Sequence, residues 1–287
     1  MLTNINRLRN KLDEIYLLLQ TYHPGVFAIT ETWLDCSVPD SVILFHDYNI
    51  YRKDRSSGLG GGVMFYVDNT FYSKRLICDN VDCSDFEILW IYVRPTLLSR
   101  PLGQLIYCVV YCPPWYNISL QNQLCFNIMN TINMLQRKYP HAGFIIAGDF
   151  NALDCNVFNR HLCFKQLIRR PTRGKNILDK VFCNYSPFFC DPLIMSPIAK
   201  SDHCCIYIRV NNSIDNHNTG YRTVNRRCLN PVTLNSIGLD LHRVRWHDMY
   251  SIDNAQKQAD FFYNAVDDIV NKHAPIITQR IKNNDKP

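Results

Sequence analysis

The sequence predicts an α+β fold in which two packed β-sheets are flanked by helices. Three observations predict it. Short apolar runs recur along the chain, each about as long as one buried strand. Helical patterns fall between them, but irregularly. Several neighbouring runs are joined by short turns, which argues against a doubly wound parallel sheet.

Each element follows from its local pattern. Residues 5–20 repeat apolar positions at helical spacing (Ile5, Leu8, Leu12, Ile15, Tyr16, Leu19) without a proline, and predict an amphipathic helix. GVFAIT, residues 25–30, predicts a buried strand that delivers Glu31 at its C-terminal end. Further strands are expected at GGVMFYV, FEILWIYV, LIYCVVY, GFIIAGDF and CCIYIRV, and a helix across 119–138, between the Pro113–Pro114 turn and Pro140. After Val210 the stretch NNSIDNHNTG is polar and reads as a linker. The expected organisation is therefore a domain over 1–210, then a linker and helical tail over 211–287. The tail pattern spans 250–272 (Ala255, Ala259, Phe262, Ala265, Val266, Ile269) and ends on Pro275 and a basic, polar close. No internal repeat is visible.

Composition sets bounds on function. Of 287 residues, 47% are hydrophobic and 20% charged, so the chain can bury a core. The start, MLTNINRLRN, has no apolar signal core, and no stretch approaches the roughly 20 apolar residues of a membrane span. The 13 cysteines lie mostly in apolar runs and never form a CxxC pair, so they read as buried thiols and not as a zinc site. An intracellular protein with reduced thiols and no membrane partner is expected. The net charge of +6 is a mild excess that suits an anionic partner. Its distribution says more: Arg160, Lys165, Arg169, Arg170, Arg173, Lys175 and Lys180 face a single acid, Asp179. Such a strip is what a phosphate backbone needs; a solvated loop is the alternative.

Two segments carry candidate chemistry. Only three glutamates occur, Glu14, Glu31 and Glu87, and Glu31 ends an apolar strand, where desolvation is unfavourable unless the carboxylate is paired or metal-bound. Taken alone, it reads equally well as a strand-end carboxylate reaching solvent. In GDFN, Asp149 and Asn151 flank Phe150 and would share one side of an extended segment; a common strand-to-loop turn is the plainer reading. Ser201-Asp202-His203 directly precedes a buried strand, a place that suits acid/base or phosphate contact better than a core.

Glu31 in ITETWL, Tyr111 in VVYCPP, Asp149 and Asn151 in GDFN, Asp179 in ILDKVF and Ser201-Asp202-His203 occur in order. As a set they resemble the endonuclease/exonuclease/phosphatase superfamily, and within it the endonuclease domain of LINE-type (non-LTR) retrotransposons, over about residues 4–210. The resemblance implies a DNase I-like four-layer α/β sandwich, with two packed mixed β-sheets between helices. It also implies a Mg²⁺-dependent DNA endonuclease, with Mn²⁺ as an alternative ion, that nicks one strand to prime reverse transcription. On this reading Glu31 is the main metal ligand, with Asp202 and Asn4 near the metal. Asp149 orients or deprotonates the attacking water, assisted by Asn151. His203 contacts the scissile phosphate and is held by Asp179, and Tyr111 donates to the phosphate or leaving oxygen. Thr172 lies at the DNA-binding surface, with Ser201, Arg170 and Arg173 as further substrate contacts. Arg52, Lys53 and Arg55, before the glycine run 58–62, are placed to touch DNA phosphates; the run itself reads as a surface loop, since no GKS or GKT follows. A DNA substrate implies nuclear access, and the tail would lead toward a reverse transcriptase domain.

Two departures from the family pattern stand out. Only Met1, Leu2 and Thr3 precede Asn4, where the family has a full apolar strand, so either the sheet accepts a stub or the reading frame lacks its beginning. The segment TRGKNI, between Thr172 and Asp179, is short and implies little sequence discrimination. The competing readings are an apurinic-type endonuclease or phosphatase on the same fold, and an inactive interaction module derived from a retrotransposon.

Overall fold

The computed structural model describes residues 1–56, 58–77, 86–96, 103–211 and 221–282, arranged as two compact units, Met1–Asp215 and Asn216–Pro287. In the first unit one sheet contains β1 (Leu2–Asn4), β2 (Val26–Thr30), β3 (Tyr48–Lys53), β4 (Val63–Asp68), β11 (Leu193–Pro197) and β12 (Cys204–Tyr207). Its order is β11-β12-β1-β2-β4-β3. The other sheet contains β5 (Tyr72–Arg75), β6 (Glu87–Arg94), β7 (Leu105–Tyr111), β8 (Gly143–Asp149), β9 (Lys165–Gln166) and β10 (Asp179–Cys183). Its order is β5-β6-β7-β8-β10-β9. Both sheets are mixed, with β1–β2 and β7–β8 parallel.

Period-two alternation builds the core between the sheets. Leu2, Ala28, Val63 and Phe65 from one sheet meet Leu89, Val109, Ala147 and Val181 from the other. The opposite face of the first sheet offers Phe27, Ile29, Met64 and Tyr66, which cluster with Ile15 and Leu19 of α1 (Leu12–Tyr22). Two more helices belong to this unit, α2 (Ile118–Lys138) and α3 (Asn156–Leu162). Asn117 caps α2 by accepting from the Leu120 N–H at 3.0 Å, and the helix buries Leu124, Ile128, Ile132 and Leu135. No helix among the described residues is long and apolar enough to cross a membrane.

The helix expected over 5–20 forms only from Leu12, after a 3₁₀ turn over Leu8–Lys11. Asn6 and Arg7 stand at φ 45° and 74°, outside helical space. Their stretch is used differently: Ile5, Arg7 and Leu8 N–H groups donate to the carbonyls of Thr30, Glu31 and Thr32. A helical pattern in the apolar residues therefore extends further than the helix, because the backbone of 5–8 is stitched to the end of β2.

The three-residue β1 is internal, pairing with β2 on one side and β12 on the other. A 570 Å³ cavity lies between the sheets beside Met1, lined by Val26, Tyr107 and Ile145 among others.

The second unit contains the helix expected over 250–272 and adds an antiparallel strand pair and two further helices among the described residues. β13 (Tyr221–Arg227) pairs antiparallel with β14 (Ile276–Lys282), and α4 (Pro231–Arg243), α5 (His247–Tyr250) and α6 (Ala255–His273) lie between them in sequence. Asp240 of α4 holds Lys272 and His273 of α6, each at 2.7 Å. The strand pair is not legible in the sequence because each strand mixes polar and apolar residues and its partner begins some fifty residues away.

Gly148, which precedes Asp149, fixes the close approach of β8 to β7. A Cβ there would lie 1.9 Å from the Val110 carbonyl oxygen, an overlap that only backbone movement relieves. Gly148→Ala is expected to destabilise unit 1 by about 3 kcal/mol or more, read as a fall in the urea midpoint at unchanged slope; an unaltered midpoint would contradict this packing.

Candidate active site

The registers of the second sheet place Glu87, Tyr111, Asp149 and Asp179 side by side on β6, β7, β8 and β10. The parity that directs Leu89, Val109, Ala147 and Val181 into the inter-sheet core directs these four the same way. Asn4 and Thr30, paired across β1 and β2, hold the corresponding positions in the first sheet. The apolar core thus ends in a polar layer, and the candidate site is built there.

Asn4 is the bridge between the walls. Its Nδ2 donates to Glu31 Oε1 at 3.1 Å and to Asp149 Oδ2 at 2.9 Å. The Tyr111 hydroxyl donates to Glu31 Oε1 at 2.7 Å, and Trp33 Nε1 reaches Glu31 Oε2 at 3.3 Å. Glu31 and Trp33 stand at φ 53° and 55°, left-handed backbone that turns both side chains out of strand geometry. Backbone bonds hold that conformation: the Glu31 carbonyl accepts from Arg7, and the Trp33 N–H donates to Gly61 at 2.8 Å.

Asp149 is 1% exposed and Asp179 fully buried. Asp179 Oδ2 lies 2.7 Å from His203 Nδ1, and the other ring nitrogen, Nε2, lies 3.9 Å from Asp149 Oδ2. With its Nδ1 hydrogen engaged by Asp179, the imidazole presents Nε2 toward Asp149. Burial pushes the Asp149 carboxyl up to about 6, helped by the Asp179 charge and opposed by His203. Burial alone would lower the His203 imidazole, but the Asp179 hydrogen bond and charge, then Asp149, raise it overall. The Tyr111 phenol is raised by burial and by the Glu31 charge.

Four expected site residues sit differently from their sequence placement. Asn151 is not on an extended segment: β8 ends at Asp149, and Asn151 turns at φ 45°. Its N–H donates to Asp149 Oδ1 at 3.0 Å and its Nδ2 to the Cys112 carbonyl at 2.9 Å, so it braces the loop after Tyr111. Thr172 is fully buried and does not face outward. Its hydroxyl accepts from Leu178 and Asp179 N–H at 3.1 Å, and its carbonyl accepts from Cys204 at 2.7 Å, which positions Asp179 against His203. Ser201 donates to the Asn4 carbonyl at 2.7 Å and so ties the SDH segment to β1. Asp202 is half exposed and ion-paired with Arg173, because the chain directs it to the rim while its neighbour His203 turns inward.

The basic residues divide too. Arg169, Arg170 and Lys175 are exposed, whereas Lys180 donates to the Leu153 carbonyl at 2.9 Å and packs over Phe150. Arg52 is also withdrawn, donating to the Val38 carbonyl at 2.8 Å.

Arg55 and Glu87 form a unit that sequence reasoning missed. Arg55 Nε and Nη2 donate to Glu87 Oε1 at 2.8 and 2.6 Å, the two side chains being only 13% and 3% exposed. The Gly62 N–H donates to the other Glu87 oxygen, and the Arg55 guanidinium fills the space where a Gly61 Cβ would stand. The available signal was Glu87 itself, a lone carboxylate opening the apolar run EILWIYV, by the same logic that singled out Glu31. Lys11 was missed as well: buried, it donates to the Asn6 carbonyl at 2.7 Å and clamps the turn after Asn4.

The donors suit a hard divalent cation. Glu31, Asp149 and Asp179 offer oxygens, whereas Asn4 turns its Nδ2 to the carboxylates and its Oδ1 accepts from the Asn6 N–H at 3.2 Å; among the described residues Glu31 has no ion-pair partner. Asp179 Oδ1 is buried without a hydrogen-bond partner among the described residues. Asp149, Asp179 and His203 have ligand atoms all within 4.8 Å of one another. Among those three, His203 Nδ1 and Asp179 Oδ2 are already engaged with each other at 2.7 Å. Glu31 accepts only from the neutral donors of Asn4, Tyr111 and Trp33, and it also lines a 710 Å³ cleft with Arg7, Lys11, Trp33 and Lys200.

The architecture, two packed mixed sheets with flanking helices, is DNase I-like. Residues 1–203 match the Endonuclease/Exonuclease/phosphatase family, and the chain belongs to it. No curated protein matches the chain. Solved structures similar to it include the endonuclease domain of TRAS1, a telomere-specific non-LTR retrotransposon, at 15% identity and a TM-score of 0.53, covering 73% of this chain and 96% of that one. An AP endonuclease from Archaeoglobus fulgidus aligns at 13% identity and a TM-score of 0.51, over 73% and 98% of the two chains. A mannosyl-6-phosphatase of Bacteroides thetaiotaomicron does so at 10% and 0.54, over 73% and 98%. At these identities the likeness defines the fold alone.

The raised Asp149 carboxyl has a stability consequence. Its folded pKa, about 6, lies above the unfolded value, so its contribution is complete at low pH and is lost as pH rises through about 6. In metal-free buffer Asp149→Asn is therefore expected to be more stable than wild type above pH 6, by about 1–3 kcal/mol. That gain should vanish near pH ~4. Urea denaturation at the two pH values checks it; an equal or larger gain at the lower pH would contradict the burial account.

Proposed function

We propose that the first unit hydrolyses DNA phosphodiester bonds with a divalent cation, Mg²⁺ or Mn²⁺, nicking one strand as in target-primed retrotransposition. The observation that carries this reading is the buried His203–Asp179 pair, 2.7 Å apart, facing Asp149 beside Glu31. Glu31, with Asn4 and Asp149 adjoining, would hold the cation, which supplies positive charge to phosphoryl oxygens during attack. Asp149, ionised above about pH 6, accepts a proton from water and is kept in place by Asn4 and the Asn151 N–H. His203 presents Nε2 to a phosphoryl oxygen while Asp179 fixes its orientation. Tyr111 places a hydroxyl donor at the same edge. Arg169, Arg170 and Lys175 give a duplex backbone exposed positive charge. The phrases ITETWL and VYCPP support the LINE-type reading, and the second unit is then a connector toward a reverse transcriptase.

Purified protein is expected to nick supercoiled plasmid with Mg²⁺, and Asp149→Ala or His203→Ala to lower the rate a hundredfold or more. Folded wild-type protein that leaves plasmid intact with both Mg²⁺ and Mn²⁺ would contradict the reading. A strong preference for an abasic-site duplex would redirect it to an apurinic endonuclease. Nicking is also expected to fall steeply between about 50 and 200 mM salt; a flat response would remove the basic residues from the interface.

A further inference from the structure

Trp115 is 64% exposed and follows the Pro113–Pro114 pair directly after Tyr111 and Cys112. A tryptophan this exposed presents a wide apolar face to solvent. This one is held on a stiff turn. The Tyr116 N–H donates to Pro113 at 3.1 Å, Asn151 anchors Cys112 on one side, and the Asn117 cap of α2 begins on the other. The Arg55 guanidinium lies 5.1 Å from the Trp115 ring and 5.8 Å from the Tyr111 ring. Arg55 is in turn fixed by the buried Glu87 and by the Leu59 carbonyl, at 2.8 Å. The buried ion pair therefore holds one face of an indole and leaves most of the ring open, next to the tyrosine that contacts Glu31.

We infer that Trp115 is a stacking platform for a nucleobase of the scissile strand, braced from behind by Arg55 and Glu87. This rests on the nucleic-acid reading above and adds a contact to it. Glu87 neutralises Arg55, so the surface offers an aromatic plane and little net charge, which suits a base face and not a phosphate. One guanidinium touches both rings. A strand with a phosphate at Tyr111 therefore carries a neighbouring base within reach of Trp115. Stacking needs that base to leave its neighbours, so unpaired or underwound DNA should bind better than relaxed duplex.

The test is equilibrium binding of a fluorescein-labelled single-stranded DNA 12-mer in EDTA to the full chain, as wild type, Trp115→Ala and Trp115→Phe. Trp115→Ala is expected to bind about tenfold more weakly and Trp115→Phe within about threefold of wild type. The ratio between wild type and Trp115→Ala should be the same at about 50 and 200 mM salt, since no phosphate contact is lost. It should fall to about one on a 12-mer of abasic residues, which keeps the backbone and removes the bases. Equal binding of the normal 12-mer by Trp115→Ala and wild type would overturn the platform and leave the nucleic-acid reading standing. Wild-type protein that binds neither this 12-mer nor duplex DNA would overturn both.

Discussion

Negative charge crowded into the closed end of a β-sandwich is the constraint on which this structure turns. Asp149 and Asp179 are buried on adjacent strands, Glu31 is joined to Asp149 from the facing sheet through the Asn4 amide, and His203 lies between the two aspartates. Two unit charges about 5 Å apart repel by roughly 3 kcal/mol at an effective dielectric of 20, so such a layer persists only where donors and cations answer it. The compensations are specific: the Asn4 amide between two carboxylates, the Asn151 N–H on Asp149, the Thr172-built turn under Asp179, and His203. Glu87 shows the complete version of the same problem, with Arg55 and the Gly62 N–H occupying both its oxygens. Among the described residues Glu31 has no cation in ion-pair contact, and that difference distinguishes a structural acid from one suited to bind an ion.

Local backbone makes the layer possible. Tyr111, Asp149 and Asp179 need only strand parity, but Glu31 lies one residue beyond β2 and would point away in a regular strand. Left-handed conformations at Glu31 and Trp33, held by Arg7, Gly61 and Gly62, turn it toward the site. Gly148 lets β8 close on Val110 immediately before Asp149. Behind it, Phe150 enters an aromatic cluster with Phe158 and Phe182, with centroids 5.3–6.1 Å apart. Asp149 is thus held from its own strand, from the next residue and from the facing sheet.

Much of this was legible in the sequence, for reasons that also define where reading stopped. Apolar runs such as GFIIAGDF and LIYCVVY locate core strands because burial on both faces leaves no other arrangement. Glu31, Asp149 and His203 were visible because each ends or borders an apolar run, whereas Asp179 was picked out only by the family resemblance. Contacts depending on tertiary direction were not visible. Asp202 and His203 are adjacent in sequence yet face opposite ways, Thr172 is turned inward, and Arg55 answers an acid thirty-two residues away. The start of α1 was misplaced for the same reason: apolar periodicity records which residues are buried, while backbone pairing of residues 5–8 with the end of β2 decides their conformation.

The site is thus a carboxylate layer in which, among the described residues, Glu31 lacks the ion-pair partner that Glu87 has in Arg55. Isothermal titration of metal-free protein with Mn²⁺ tests that statement most directly. Wild type should bind the ion saturably. Glu31→Gln, which keeps the size and removes the charge, should bind at least tenfold more weakly, while Asp202→Asn at the rim should match wild type. No saturable binding by wild type, or undiminished binding by Glu31→Gln, would contradict the account.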